Sequence, residues 1–255
     1  MKRIISFAAA LSMIFGAASC QKELTPGKEG DCKVTFSVEI PDNVVTKAEM
    51  SDGTTIDELL YEVYVGDDVM YEGSISPTTA GSRQFVLELN LVTGQTYDLL
   101  FWAQKKETGY YETHSLKNIR AHYPRDNKFG NDEKRDAFCG ARTGFKASGI
   151  ATSETIKLYR PFAQINLGTT VESLSPVQQG QTQGYTIDVQ ESAMTVSGIA
   201  SSFNLVNGQA ADESVDFTFT STPTPAKAGE VLTVNGINYH YVAMNYLLVP
   251  VQEKL

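Results

Sequence analysis

Cysteine, histidine and tryptophan are scarce in this chain of 255 residues, which holds three, three and one of them. No second Cys or His lies two to four residues from Cys20, Cys32 or Cys139, so no zinc-site spacing is present. His114, His122 and His240 have no companion ligand at metal spacing either, and read as surface or hydrogen-bonded side chains. Basic charge is in deficit: 21 Lys and Arg face 30 Asp and Glu, a net charge of −9. A chain of that sign repels nucleic acid and anionic lipid, so neither is expected as a direct ligand. Long apolar runs are missing too. The longest, Ile4 to Phe15, is about a dozen residues, where a spanning helix needs about 20.

Catalytic signatures are also missing. There is no His-Glu-x-x-His helix, no Gly-x-Ser-x-Gly elbow and no phosphate-cradling glycine loop. Asp126 to Glu133 has the look of a calcium loop, but Lys128 stands where such a loop needs an oxygen ligand. The carboxylate pairs Asp57-Glu58 and Asp67-Asp68 are ordinary in so acidic a chain and read as charges that keep strand edges soluble. No enzyme, catalytic residue, metal or cofactor is expected.

What the chain does have begins at its first residue. Met1-Lys2-Arg3, the apolar run and the small residues Gly16-Ala17-Ala18-Ser19 lead into Cys20, the pattern of a bacterial lipoprotein signal peptide. Residues 1–19 are expected to be removed and Cys20 to carry the lipid, palmitate included. Ala17 departs from the Leu, Val or Ile usual three positions before the cysteine, and an ordinary secretory cut is the alternative. Removal takes Lys2 and Arg3 and no acid, so 19 basic residues then face 30 acidic ones, a net charge of −11. A diacylglyceryl thioether with an amide-linked acyl chain anchors firmly at about 0.8 kcal/mol per buried methylene.

Residues 20–31 are polar and turn-rich, a lipidated tether of at most about 35 Å. Alternation then dominates. Val34, Phe36, Val38 and Ile40 share one face of a strand, as do Phe85, Leu87, Leu89 and Leu91 of another. Further strands are predicted over 56–65, 69–72, 97–103, 136–142, 154–168, 185–189, 194–199, 215–219, 231–234 and 237–251. Asn235-Gly236 marks a two-residue hairpin turn, and Pro161 an edge or a kink. Trp102, within Leu99-Leu100-Phe101, reads as core. Lys105 to Arg135 lacks apolar periodicity and reads as a long surface excursion, the first place to look for partner contacts. Cys32 and Cys139 are read either as small buried residues or as a disulfide. The fold class is all-β, as β-sandwiches, with an N-terminal sandwich over 32–170 and a C-terminal one over 171–255.

Three stretches go further: Arg160-Pro161-Phe162-Ala163-Gln164-Ile165-Asn166-Leu167-Gly168, Phe203-Asn204-Leu205 ahead of Asn207-Gly208, and Tyr241-Val242-Ala243-Met244-Asn245-Tyr246-Leu247-Leu248-Val249-Pro250. Together they resemble the fimbrillin-like lipoproteins of the Bacteroidales, relatives of the subunits of type V pili. The resemblance implies two tandem transthyretin-like or Ig-like β-sandwiches, exported as a lipoprotein to the outer membrane and exposed at the cell surface. In polymerising relatives a protease cuts after a basic residue in an early loop and removes the first strand, and the groove accepts a donor strand from the next subunit. Lys47, in Val45-Thr46-Lys47-Ala48, matches that position; a plain solvated lysine is the alternative. Relatives continue beyond the Leu247-Leu248-Val249-Pro250 stretch with further strands, so the second sandwich is expected to be truncated, or its last edge filled by a partner.

The expected function is a non-enzymatic fimbrium subunit (an anchor, tip or adhesin for cell adhesion) acting by strand exchange at an open sheet edge. Its partners are the outer membrane through Cys20 and other fimbrial subunits. The alternative is a glycan-binding outer-membrane lipoprotein using exposed loop aromatics, with Tyr110 and Tyr111 as the contacts. A loop packed by its own tyrosines is an equal reading of that pair.

Overall fold

The computed structural model describes residues 31–41, 53–122, 132–170, 192–210, 214–221 and 231–248. Cys20 and Lys47 lie outside the described residues, as do the strand predicted over 185–189 and most of the Asp126–Glu133 stretch. The described chain is all-β apart from a single 3-10 turn at Glu133–Arg135.

A first pair of sheets is built from β1 (Cys32–Glu39), β2 (Glu58–Val65), β3 (Asp68–Ile75), β4 (Gln84–Leu91), β5 (Thr96–Gln104), β8 (Ala137–Lys146) and β9 (Thr152–Lys157). One sheet runs β4-β1-β9 and the other β3-β2-β5-β8. β1 is antiparallel to β4 and parallel to β9, so it is an interior strand. Its alternation decides its register: Cys32, Val34, Phe36 and Val38 point inward and are buried, beside Phe85, Leu87, Leu89 and Leu91 of β4. They meet Leu59, Tyr61, Val63, Leu99 and Phe101 from the opposite sheet. Phe36 stands edge-on to Phe145 at 5.3 Å and tilted to Phe101 at 6.4 Å. Gly66 and Gly94 have φ of +62° and +83°, which closes the β2–β3 and β4–β5 turns.

The run Leu99-Leu100-Phe101-Trp102-Ala103 is buried at every position because the sheet β3-β2-β5-β8 is covered on both faces. Leu99, Phe101 and Ala103 face β1 and β4, while Leu100 and Trp102 face a second core with Tyr64, Ala137, Cys139, Leu116, Ile119, Phe162, Phe203, Met244, Tyr246 and Leu248. Trp102 is core, as predicted, and sits at the seam: Tyr111 and Phe162 meet it edge-on at 5.2 and 6.2 Å. Cys32 and Cys139 are free and buried in different cores, so they form no disulfide.

The second unit contains β10 (Phe162–Thr170), β11 (Ser192–Ala200), β14 (Ser214–Ser221), β15 (Val231–Val234) and β16 (Ile237–Leu248). Its sheets are β10-β16-β15 and β11-β14. Asn235 and Gly236 turn β15 into β16 with φ of +52° and +81°, as the dipeptide predicts. The segment predicted as one strand over 154–168 is two. β9 ends at Lys157, Tyr159 bridges Cys139, and after Arg160-Pro161 the chain enters β10, which pairs with β16 throughout. β10, assigned from sequence to the end of the N-terminal sandwich, is therefore hydrogen-bonded to the last described strand.

The Lys105–Arg135 excursion is not merely surface. It carries β6 (Tyr111–Glu112) and β7 (Ile119–Ala121), which join β12 (Ser202–Asn204) and β13 (Gln209–Ala210) in a sheet of order β13-β12-β7-β6. Leu116 and Ile119 are buried there with Phe203 and Leu205. Periodicity could not announce strands of two and three residues.

Candidate functional site: an open strand edge and the residues around it

Among the described residues no strand pairs with the outer edge of β10. Side chains directly opposite in an antiparallel pair share a face. Ala163 opposes Leu247, Ile165 opposes Asn245 and Leu167 opposes Ala243. Leu247 packs with Ile199, Phe217 and Phe219 of β11 and β14, so Ala163, Ile165 and Leu167 lie on the side of β10 that faces the interior of the second unit. In β1 the inward row is buried; here Ile165 is 36% and Leu167 46% exposed. Asn245, on the same side and 2% exposed, has no partner for either end of its amide.

Edge strands ordinarily carry charge, which blocks unwanted pairing. All four outer strands of the first unit do: Asp68 and Glu72 in β3, Glu88 in β4, Arg142 and Lys146 in β8, Glu154 and Lys157 in β9. β10 and β11 contain no charged residue. The signal for this site was in the sequence, as an alternating, charge-free stretch inside the fimbrillin-like motif, but only the topology shows that it lies at an edge.

Tyr110 and Tyr111 are half-buried and their polar ends are committed within the molecule. The Tyr110 hydroxyl donates to Asp132, and the Arg135 guanidinium lies 4.1 Å from its ring centre. Burial first, then that carboxylate, pushes the phenol up to about 12. Tyr111 donates to the carbonyl of Arg135 and packs against Trp102 and Phe162. Tyr110 is thus held within the excursion, while Tyr111 braces the junction between units through Trp102 and Phe162. His122 Nε2 lies 2.6 Å from Glu112, a pairing within the same excursion. Among the described residues, no group of three His, Cys, Asp or Glu is placed to hold a metal, and no helix is long and apolar enough to cross a membrane.

Sequence reasoning missed two buried polar anchors. At the crossing between units, Arg160 grips Asp136 with two hydrogen bonds of 2.6 and 2.7 Å, and its guanidinium lies over the Phe138 ring at 4.8 Å. On the seam, the buried Glu62 carboxylate accepts from the Tyr64 hydroxyl and from the Leu116 amide at 3.0 Å. Burial raises its pKa; those hydrogen bonds and Lys117 pull it down, Glu72 adds to the rise, and the net shift is upward. A carboxyl whose folded pKa is raised binds its proton more tightly folded than unfolded. Stability from this group therefore grows as pH falls through the folded pKa and levels off below the unfolded value. Denaturant unfolding at pH 7 and pH 5 should show Glu62→Gln gaining less on acidification than the parent; equal gains would refute the assignment.

The fold and this edge define an all-β protein of packed sandwich units, the second with an uncovered inner row. The chain belongs to the family of unknown function DUF6562, whose model matches residues 26–255. No curated protein matches it. Among solved structures it is similar to a Bacteroides thetaiotaomicron protein provisionally described as polysaccharide-binding, at 10% identity and TM-score 0.53, covering 84% of this chain and 71% of that one. It is also similar to a protein from the same species provisionally described as an adhesin, at 11% identity and TM-score 0.51, covering 91% of this chain and 74% of that one. The tip fimbrial protein Mfa3 from Porphyromonas gingivalis, solved with a C-terminal truncation, matches at 11% identity and TM-score 0.49, covering 87% and 70%. At such identities the likeness is one of fold, and the sandwich class expected from the sequence is the one found.

Proposed function

We propose that the protein is a non-enzymatic, lipid-anchored surface subunit of fimbrillin type, adhesive or structural, that associates by adding a strand at an open sheet edge. The observation that carries this reading is the charge-free edge of β10 with Ile165 and Leu167 exposed on its inward side. The description of one structural neighbour as an adhesin accords with it. Cys20 serves as the outer-membrane anchor and Lys47 as the processing site. β1 is interior to its sheet, so a cut at Lys47 leaves it held by two ladders and its buried apolar row until a competing strand displaces it.

The test is the double substitution Ile165→Lys with Leu167→Lys in the lipidated chain. Surface complexes of high mass on native gels are expected to disappear while the unfolding midpoint stays put, because both side chains are exposed; persistence of the complexes would refute the edge. Cys20→Ser should abolish labelling by a clickable palmitate analogue and release the chain from the membrane fraction. Label retained in that variant would refute the anchor.

A further inference from the structure

Leu116, in the excursion, is tied on both sides. Its amide N–H donates to Glu62 Oε2 of β2 at 3.0 Å, and its carbonyl accepts from the amide of Leu205, just after β12, at 3.4 Å. One residue therefore links the first sandwich to the segment that carries β12. β7 continues the link, with Ile119 paired to Phe203 and Arg120 to Ser202. On the first-unit side, the Leu116 hydrogen bond ends on a carboxyl that is only 6% exposed.

A carboxyl is a costly choice there. Glutamine would offer the same acceptor oxygen to Leu116 and to the Tyr64 hydroxyl without a charge. Glu62 instead stands directly opposite Glu72 of β3, which is exposed, and like charges facing each other across a ladder destabilise it. Lys117 lies over the Tyr64 ring at 4.0 Å and 3.5 Å from Asp67, an exposed side chain at the β2–β3 turn. On β5 the residue opposite Glu62 is Leu100, itself opposite Ala141 of β8. Asp98 of β5, opposite Tyr64, accepts from the Gly144 amide at 2.7 Å. The excursion adds Ser115, whose side chain bonds that of Tyr64. Burial first, and then the Glu62 carboxylate, raise the Tyr64 pKa, so Tyr64 stays a donor to Glu62. Oε2 accepts both hydrogen bonds, so a proton added to Glu62 goes to Oε1 and breaks neither.

We infer that Glu62, set against Glu72, is a proton-operated latch that holds the excursion and the β12 segment on the first sandwich most firmly in acid and loosens as pH rises. When the Leu116 segment lifts, water reaches the carboxyl and the burial that penalises its charge is lost. Docked, Glu62 binds its proton more tightly than released, because burial and Glu72 outweigh the two hydrogen bonds and Lys117. Docking therefore strengthens as pH falls through the docked pKa and levels off below the released one. Above the docked pKa a charged Glu62 faces Glu72, and the latch is weakest. Glu62 lies on the seam face of β2, while Leu59, Tyr61 and Val63 hold the core of the first sandwich on the other face. A rise in pH thus loosens the joint between the units and leaves that core closed.

The experiment is hydrogen–deuterium exchange of the full chain between about pH 5 and pH 8, read by mass spectrometry and corrected for the intrinsic rate at each pH. Peptides covering Leu116 and Leu205 should lose protection as pH rises, by up to about tenfold per pH unit, the limit for a single proton. At the upper end they should be less protected than peptides covering Phe36 of β1. In Glu62→Gln the pH dependence should vanish. Glu72→Gln, at an exposed position, should move the loss to lower pH, and this arm stands even if Glu62→Gln does not fold. Protection at Leu116 that ignores pH overturns the latch. Protection equal to that of Phe36 at every pH also overturns it, since the chain then opens only as a whole. A loss that survives in Glu62→Gln overturns the assignment to Glu62, and one that Glu72→Gln leaves in place overturns the part given to Glu72.

Discussion

Replacing Arg160 with alanine should lower the unfolding free energy by about 3–5 kcal/mol, the cost of leaving one member of a buried ion pair alone. Asp136 keeps 1% of its side-chain surface in water and Arg160 12%, so neither charge can turn to solvent when the other is lost. Burial works against the guanidinium charge, but the two hydrogen bonds and the attraction of Asp136 outweigh it and raise the Arg160 pKa. The pair also fixes geometry. Asp136 leads into β8, Arg160 turns the chain from β9 into β10, and the Tyr246 ring of β16 lies 5.8 Å from the guanidinium. Lysine at 160 keeps the charge without the planar fork and should recover only part of the loss. Replacing both residues with leucine should cost less than Arg160→Ala alone. Denaturant titration followed by fluorescence is well placed to read this, since Trp102 is the only tryptophan and lies on the seam. A loss below about 1 kcal/mol would show that the buried pair is not what joins the units.

The second large effect is expected at Phe36→Ala, which should cost about 3–5 kcal/mol through lost transfer energy and the cavity left between Phe101 and Phe145. Because Phe36 is on β1, the effect should exceed a loss of global stability: release of the first strand should become faster. Cys32 reports this directly. It is 1% exposed at the start of β1, with its thiol 3.5 Å from the carbonyl of Ile150. Alkylation of Cys32, read by peptide mass spectrometry, should accelerate in the variant. Cys139 should stay protected in the folded chain, since burial pushes its thiol pKa far up. After lysine-specific cleavage of the parent, Cys32 should remain protected until a competing strand is present. Immediate reactivity on cleavage would show that the ladders to β4 and β9 do not hold β1 in place.

The glycan-binding alternative expected from the sequence placed its contacts at Tyr110 and Tyr111, whose hydroxyls the structure pairs with Asp132 and with the carbonyl of Arg135. A pair of tyrosines in a polar stretch reads equally as an exposed contact or as packing, because the residues that cover them come from distant parts of the chain. Arg135 is about two dozen residues away from Tyr111 in sequence, and Phe162 comes from the second unit. The same distance hid Glu62 and Leu116, and Arg160 and Asp136. Nothing in the neighbourhood of either carboxylate marks it as buried, and burial alone makes each consequential.

By itself the sequence determined the strands that alternate, the Asn235-Gly236 turn, the acidic charge, and the family likeness carried by Arg160-Pro161-Phe162 and its companions. These are local properties, set by side-chain period and by the backbone angles particular residues favour. Only the tertiary structure decided that β1 is interior, that the β5 sheet is covered on both faces, that the excursion supplies two strands of a shared sheet, and that β10 is an edge strand among the described residues. Those are pairings between residues far apart in the chain. Edge and interior strands have the same period and differ only in what lies beside them.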